Sequence, residues 1–239
     1  MVRILDLFCG AGGASLGYVR AGWEVVGVDL NPMPRYPMPF KQGDALAVLR
    51  QLLDGESVSF SGHVLGLHHF DAIHASPPCQ SYSVTRHSHS IEYPRLIEPL
   101  RELLIETTLP YVIENVVGAP LHDPLTLCGT MFGLTAKDTR DGTLLELRRH
   151  RLFESNVELP PLECKHEHAV GGVYGGGSSR RSSTRDWEKG RPGRGGYTPV
   201  KAVRENLMGI YTMTSRELSE AIPPAYTEYV GRQLAEAIA

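Results

Sequence analysis

Up to residue 153 the chain alternates two kinds of apolar pattern. Val2 to Phe8, Trp23 to Val28, Phe70 to Ala75 and Tyr111 to Ile113 are short, dense apolar runs. Their length and β-branched content suit strands buried on both faces. Between them, Ala14 to Ala21, Ala45 to Leu53 and Pro94 to Thr107 read as helices, with Gly22 placed as the first helix's stop. Residues 32–39 carry four prolines and read as irregular. Repeated βα units predict an α/β fold: a Rossmann-like, mostly parallel sheet with helices on both faces.

The pattern stops after Phe153. Residues 171–199 are rich in Gly, Ser, Arg and Pro, with Trp187 and Tyr197 interleaved and no helical or strand period. They read as a small insertion or a long loop that orders on binding. Helical patterning returns from Ser215 to Ala239, broken by Pro223-Pro224. The expected division is a catalytic and cofactor-binding domain over 1–155 and 206–239, with a small recognition module over 156–205. There is no internal repeat.

Composition adds limits. A hydrophobic fraction of 41% and a charged fraction of 21% are ordinary for a soluble globular protein. No apolar run reaches membrane-spanning length, and the first residues already read as a strand, which leaves no room for a signal peptide. Cys9, Cys79, Cys128 and Cys164 are scattered, which points to a reducing, cytoplasmic setting and not to a disulfide framework. Net charge is −3, yet Ser178 to Arg204 holds eight basic residues against two acidic ones. This local excess of six leaves −9 on the remainder. A basic segment on an acidic body suits a polyanion site, or a solvated loop.

Candidate chemistry gathers at the predicted strand ends. Pro77-Pro78-Cys79-Gln80 follows the third apolar run. Two prolines stop a strand, so Cys79 lies at the sheet's carboxyl edge, either as a nucleophile or as a buried turn residue. Gly10, Gly12 and Gly13 form a tight loop that lets a cofactor approach the backbone, and Asp29 ends the next run, where an acid can hold ribose hydroxyls. With Ser15 where a nicotinamide loop wants glycine, another nucleoside cofactor is favoured. Asp44 reads as a helix cap or as an acceptor for an adenine amino group. Glu114, after a buried run, is costly unless paired or used, and suits a proton donor beside Cys79. Arg149 and Arg151 suit a polyanionic substrate or a solvated strand face. Cys164-Lys165-His166-Glu167-His168 looks like a ligand tract but lacks paired zinc spacing, so no metal is expected. His87 and His89 are expected to be ordinary loop residues.

Taken in order, these motifs resemble the DNA (cytosine-5)-methyltransferase family. Asp6-Leu7-Phe8-Cys9-Gly10-Ala11-Gly12-Gly13, Asp29 and Gly43-Asp44 match its cofactor motifs, and Pro77-Pro78-Cys79-Gln80 its nucleophile motif. Glu114-Asn115-Val116, Leu127 to Leu134, Arg149-x-Arg151 and Ala221-Ile222-Pro223-Pro224 match the remainder. The resemblance covers 1–155 and about 206–239.

It implies methyl transfer from S-adenosyl-L-methionine to C5 of a cytosine flipped out of double-stranded DNA, through a covalent Cys79–C6 intermediate. Cys79, Glu114, Arg149 and Arg151 would carry the chemistry. Phe8, Gly10, Gly12, Asp29, Leu30, Asp44, Ala45, Pro78, Glu220 and Ala221 would hold the cofactor. Gln80, Ser83 and Thr85, on a loop closing over DNA, and Arg180, Arg181, Arg185, Arg191 and Arg194 would meet the nucleic acid. A monomer in a bacterial or phage-infected cell is expected, with no membrane partner. Two other readings share these motifs: an RNA cytosine-C5 methyltransferase acting on tRNA, and a DNA-binding module without catalysis. Two positions depart from the family pattern. Leu147 stands where glutamine usually opens the arginine motif, and Ser219-Glu220 stands in place of Gly-Asn.

Overall fold

The computed structural model describes residues 2–79, 82, 94–174 and 197–239. Its centre is a seven-stranded sheet. In chain order the strands of this sheet are β1 (Arg3–Leu7), β2 (Glu24–Asp29), β3 (Phe40–Gln42), β6 (Ala72–Ala75), β7 (Tyr111–Asn115), β8 (Leu125–Leu127) and β11 (Arg151–Ser155). Their spatial order is β3-β2-β1-β6-β7-β11-β8. The first five run parallel, and β11 enters antiparallel to both β7 and β8. The numbering turns back between β1 and β6, so the β1 and β6 carboxyl ends flank a switch point where such sheets bind ligands.

Each central strand divides its side chains between two cores, as the two-residue period of a strand requires. Leu5, Leu7, Val26, Val28, Ile73, Ala75, Tyr111 and Ile113 face α2 (Ala45–Leu53) and α3 (Ile97–Glu106). Ile4, Val25, Ala72 and Val112 face α1 (Gly13–Arg20) and α6 (Pro224–Ala237). Thus the dense apolar runs are buried on both sides, as the sequence predicts.

α1 and α6 cross closely. A Cβ on Gly17 would strike the Thr227 hydroxyl and the Pro224 carbonyl, so only glycine permits this approach. Thr227 Oγ1 donates to the Ala14 carbonyl at 2.7 Å across the contact. The crossing carries Ala221-Ile222 onto the loop before α1, where a Cβ on Gly13 would lie 2.8 Å from Ala221 Cβ.

Three elements escape the sequence reading. β3 is short and lies on the sheet's edge. β4 (Val58–Phe60) and β5 (His63–Leu65) form a hairpin turned by Ser61 and Gly62, both at positive φ. The third is a smaller sheet of β9 (Thr135–Lys137), β10 (Leu144–Glu146) and β12 (Ala169–Val170), ordered β12-β10-β9. It packs with α4 (Lys201–Met208) and α5 (Ser215–Glu220) around Leu145, Val173, Tyr197, Val203, Leu207 and Leu218. This third core draws on residues both before and after the expected 156–205 module.

Expected helix and strand limits shift by a few residues. The helix read from Pro94 starts at Ile97, and the strand read from Phe70 starts at Ala72. Among the described residues, no helix is long and apolar enough to cross a membrane.

Candidate active site

The loop after β1 is strained in a specific way. Phe8, Gly10 and Gly12 all adopt positive φ, at 60°, 51° and 91°. For a bulky residue such as Phe8 this conformation costs energy. The turn aims backbone N–H groups at the carboxyl end of β2. There Gly10 N donates to Asp29 Oδ2 at 3.0 Å, and Asn31 N donates to Asp29 Oδ1 at 2.9 Å. Each Asp29 oxygen keeps acceptor capacity. Leu30, beside it, is 65% exposed, an apolar surface free to cover a ligand ring. Asp44 caps α2, its Oδ1 accepting from Leu46 N and Ala47 N at 2.9 and 3.0 Å. The cap reading of Asp44 therefore holds, and Oδ2 has no bond among the described residues. Ala45 is buried directly after it. A nucleoside cofactor fits this donor and acceptor set: a bent glycine loop, a paired strand-end carboxylate and an exposed apolar side chain.

Beneath the loop lies a buried acid. Asp6 accepts from Ser15 Oγ, which also bonds the Tyr36 hydroxyl at 2.9 Å. Asp6 Oδ1 is buried with no partner. Burial raises the Asp6 pKa to about 7.

β6 and β7 are neighbours, so their carboxyl ends bring the nucleophile and glutamate motifs together. Asn115 Nδ2 donates to the Pro77 carbonyl at 2.8 Å and fixes the double-proline turn. Pro78 and Cys79 are half-buried beyond it. Burial pushes the Cys79 thiol up, the Arg151 charge draws it down, and Glu114 pushes it up again. Glu114 is 5% exposed. Burial raises its pKa, opposed by Arg151, Arg149 and a Ser76 hydrogen bond. Arg151 Nε lies 3.1 Å from Glu114 Oε1. The contact is ionic and lacks hydrogen-bond geometry, because Oε1 has no hydrogen-bond partner. A buried carboxyl whose pKa is raised, at the end of a core strand, suits proton exchange with a ring nitrogen.

The two arginines differ. Arg149 is buried, and its Nη1 and Nη2 donate to the Val173 and Ser219 carbonyls at 2.8 and 2.7 Å. It ties the β11 lead-in to the smaller sheet and to α5. Desolvation lowers its pKa to about 9. Arg151, at the start of β11, faces Glu114. Ala221 abuts the glycine loop, while Glu220 is exposed and pairs with Arg216 Nε at 3.3 Å.

The sequence reading missed a chain of buried hydrogen bonds behind Glu114. The Tyr18 hydroxyl meets His74 Nδ1 at 2.8 Å, and His74 Nε2 meets Ser76 Oγ at 2.8 Å. Ser76 in turn bonds Glu114. Burial lowers the His74 pKa to about 3, so it is a neutral relay. Its signal, a histidine inside an apolar run, was visible. Gln80, Ser83, Thr85, His87, His89, Arg180, Arg181, Arg185, Arg191 and Arg194 lie outside the described residues.

The spacing argument against a metal looked only along the sequence, and the fold brings together residues it kept apart. Ligand atoms of Cys128, His150, Cys164 and His166 lie within 4.8 Å of one another. His168, named in the sequence tract, is not among them. A cavity of about 730 Å³ adjoins this cluster along β8 and β11 and is lined by neither Cys79, Glu114 nor Asp29. It belongs to neither the cofactor loop nor the Cys79 edge.

A doubly wound α/β sheet with a strained glycine loop and a cysteine–glutamate pair at its switch point defines a methyltransferase fold. The chain belongs to the C-5 cytosine-specific DNA methylase family, whose sequence model matches residues 2–123, just over half its length. Solved structures agree on the fold. One, from an E. coli prophage and described as a DNA modification methyltransferase, is 14% identical over 99% of both chains, with a TM-score of 0.56. The Dnmt2 methyltransferase of S. pombe is 13% identical over 99% of both chains, at 0.51. A DNMT2 variant from Spodoptera frugiperda is 13% identical over 98% of this chain and 100% of its own, at 0.52. No curated protein matches the chain.

Proposed function

We propose that this chain methylates C5 of cytosine in duplex DNA with S-adenosylmethionine as donor. The observation that carries this reading is the placement of Cys79 and a buried Glu114, its pKa raised by that burial, at adjacent strand ends. Membership of the family supports it.

The target base leaves the duplex, since C5 and C6 are out of reach inside the stack. Cys79 releases its proton to solvent and bonds C6. The ring's electron pair shifts toward C5 while Glu114 passes its proton to N3. Arg151 holds the Glu114 carboxylate that remains and offers its outer N–H groups to the cytosine O2. Arg149, spent on two carbonyls, positions this edge. When bound, S-adenosylmethionine supplies an electrophilic methyl group on a sulfonium. Asp29 would hold its ribose and Leu30 its adenine, with Phe8, Gly10, Gly12, Asp44, Ala45, Pro78 and Ala221 around them. Once C5 is methylated, a base, with water as the candidate, takes the C5 proton. Cys79 then leaves, and the N3 proton returns to Glu114.

The test is transfer of tritiated methyl groups to duplex DNA and to tRNA in parallel. Label is expected in DNA. Label in tRNA alone would overturn the DNA assignment and favour the RNA reading.

A further inference from the structure

The structure assigns to this chain a structural zinc site made by Cys128, His150, Cys164 and His166, separate from the chemistry at Cys79. The four residues come from three separate stretches of the sequence, and strand register brings the first two together. β8 and β11 pair antiparallel, Thr126 with Leu152 and Leu127 with Arg151. One step further along that register sets Cys128 opposite His150. Cys164 and His166 then arrive on the chain leading to β12.

The distances are those of a metal site. Zinc bonded to sulfur at about 2.3 Å and to imidazole nitrogen at about 2.0 Å in a tetrahedron separates S from N by about 3.5 Å. Cys128 Sγ lies 3.5 Å from His166 Nε2, and Cys164 Sγ lies 3.6 Å from His150 Nε2. A third edge, Cys164 Sγ to His166 Nε2, is 3.0 Å. Both imidazoles turn the same nitrogen inward, their rings 5.4 Å apart at 74°. Two thiolates and two imidazoles in this shape select zinc among the common divalent metals.

The surroundings fit as well. Thr130 Oγ1 donates to Cys128 Sγ at 3.3 Å and sits 3.6 Å from Cys164 Sγ, an outer hydrogen bond of the kind that orients thiolate ligands. Cys128 is buried, whereas Cys164 and His166 are exposed and give the ion a path in. Four protein ligands close the coordination shell, so the role is structural. Binding sends both thiol protons to solvent and fastens the 164–166 strand lead-in to His150. That histidine lies between Arg149 and Arg151, so the ion would stiffen the backbone that presents both arginines.

Metal analysis of the full chain, expressed with zinc and desalted, should find about one zinc per chain. Cys164→Ser with His166→Ala, both exposed loop positions, should cut that at least tenfold while leaving the far-ultraviolet circular dichroism unchanged. Reduced, metal-free wild type titrated with CoCl2 should give a thiolate-to-cobalt charge-transfer band and the visible bands of tetrahedral cobalt, saturating at one equivalent. Cys79→Ala should give the same spectrum. Wild type with no charge-transfer band at one equivalent would overturn the site, as would a band that persists in the double variant or vanishes in Cys79→Ala. The cobalt titration of wild type decides the matter even if the double variant fails to fold.

Discussion

The two halves of the sheet's carboxyl edge are built on different principles. On the cofactor side, over β1 to β3, the acidic side chains Asp29 and Asp44 are held by backbone N–H groups of their own neighbourhood. On the Cys79 side, over β6, β7 and β11, Glu114 faces the Arg151 charge beside Cys79 in a buried space, and Arg149 is tied to two backbone carbonyls. In the proposed function the first half binds and the second moves a proton. Asp6 alone mixes the two, as a buried acid with a raised pKa beneath the glycine loop.

The comparison breaks if a variant in one half shows the other half's defect. Cys79→Ala should have the largest effect, abolishing methyl transfer by at least about 10⁴-fold, as removal of a covalent nucleophile does. S-adenosylmethionine affinity should survive, as measured by calorimetry. The wild type should form a covalent adduct with 5-fluorocytosine DNA, and an adduct in Cys79→Ala would show that the nucleophile lies elsewhere.

Asp6→Asn tests the exception through stability. In the folded protein Asp6 keeps its proton up to about pH 7, whereas unfolded it loses it near its ordinary value of 3.8. Between those limits the folded state binds more protons, so wild-type stability falls as pH rises through the window. His74 works oppositely: its pKa of about 3 means that the unfolded chain takes a proton first on acidification, and stability rises with pH up to about its ordinary 6.5. Replacing Asp6 removes one opposing term. From pH 4 to pH 8, stability relative to wild type should shift in the variant's favour by up to about 4 kcal/mol. A constant difference across urea titrations at those two pH values would show that Asp6 is not held neutral.

Glu114→Gln should slow methyl transfer by about 10²-fold or more while sparing cofactor affinity. A change in cofactor Kd without a change in turnover would put Glu114 in the binding half. Asp29→Ala should do the reverse with the smallest effect, weakening cofactor binding by about tenfold, as loss of a hydrogen-bond acceptor does. Adduct formation at Cys79 under saturating cofactor should persist.

Legibility follows the same division. The glycine loop, Asp29 and Asp44 lie within residues 6–45, so they could be read as local punctuation. Cys79 and Glu114 were also legible, because each directly follows a buried run. Their electrostatics were not, since burial and the Arg151 contact depend on which strands become neighbours. His74 looked like one more core residue. The Cys128, His150, Cys164 and His166 cluster was invisible to spacing rules, because antiparallel register brings it together. The smaller sheet was missed for a related reason: its strands are two or three residues long, too short to show a period.

The glycine-mediated crossing of α1 and α6 has a consequence for the order of events in synthesis. The loop at Gly10 to Gly13 leaves the ribosome well before the wall it leans on, Ala221 and Ile222, which lies some two hundred residues further along the chain. A nascent chain carrying both Cys79 and Glu114 still lacks the wall behind its glycine loop. Closing so long a loop is a late folding event. In the proposed function, the reacting side chains are therefore made early, and the cofactor's seat waits for α6 to be translated and to settle against α1.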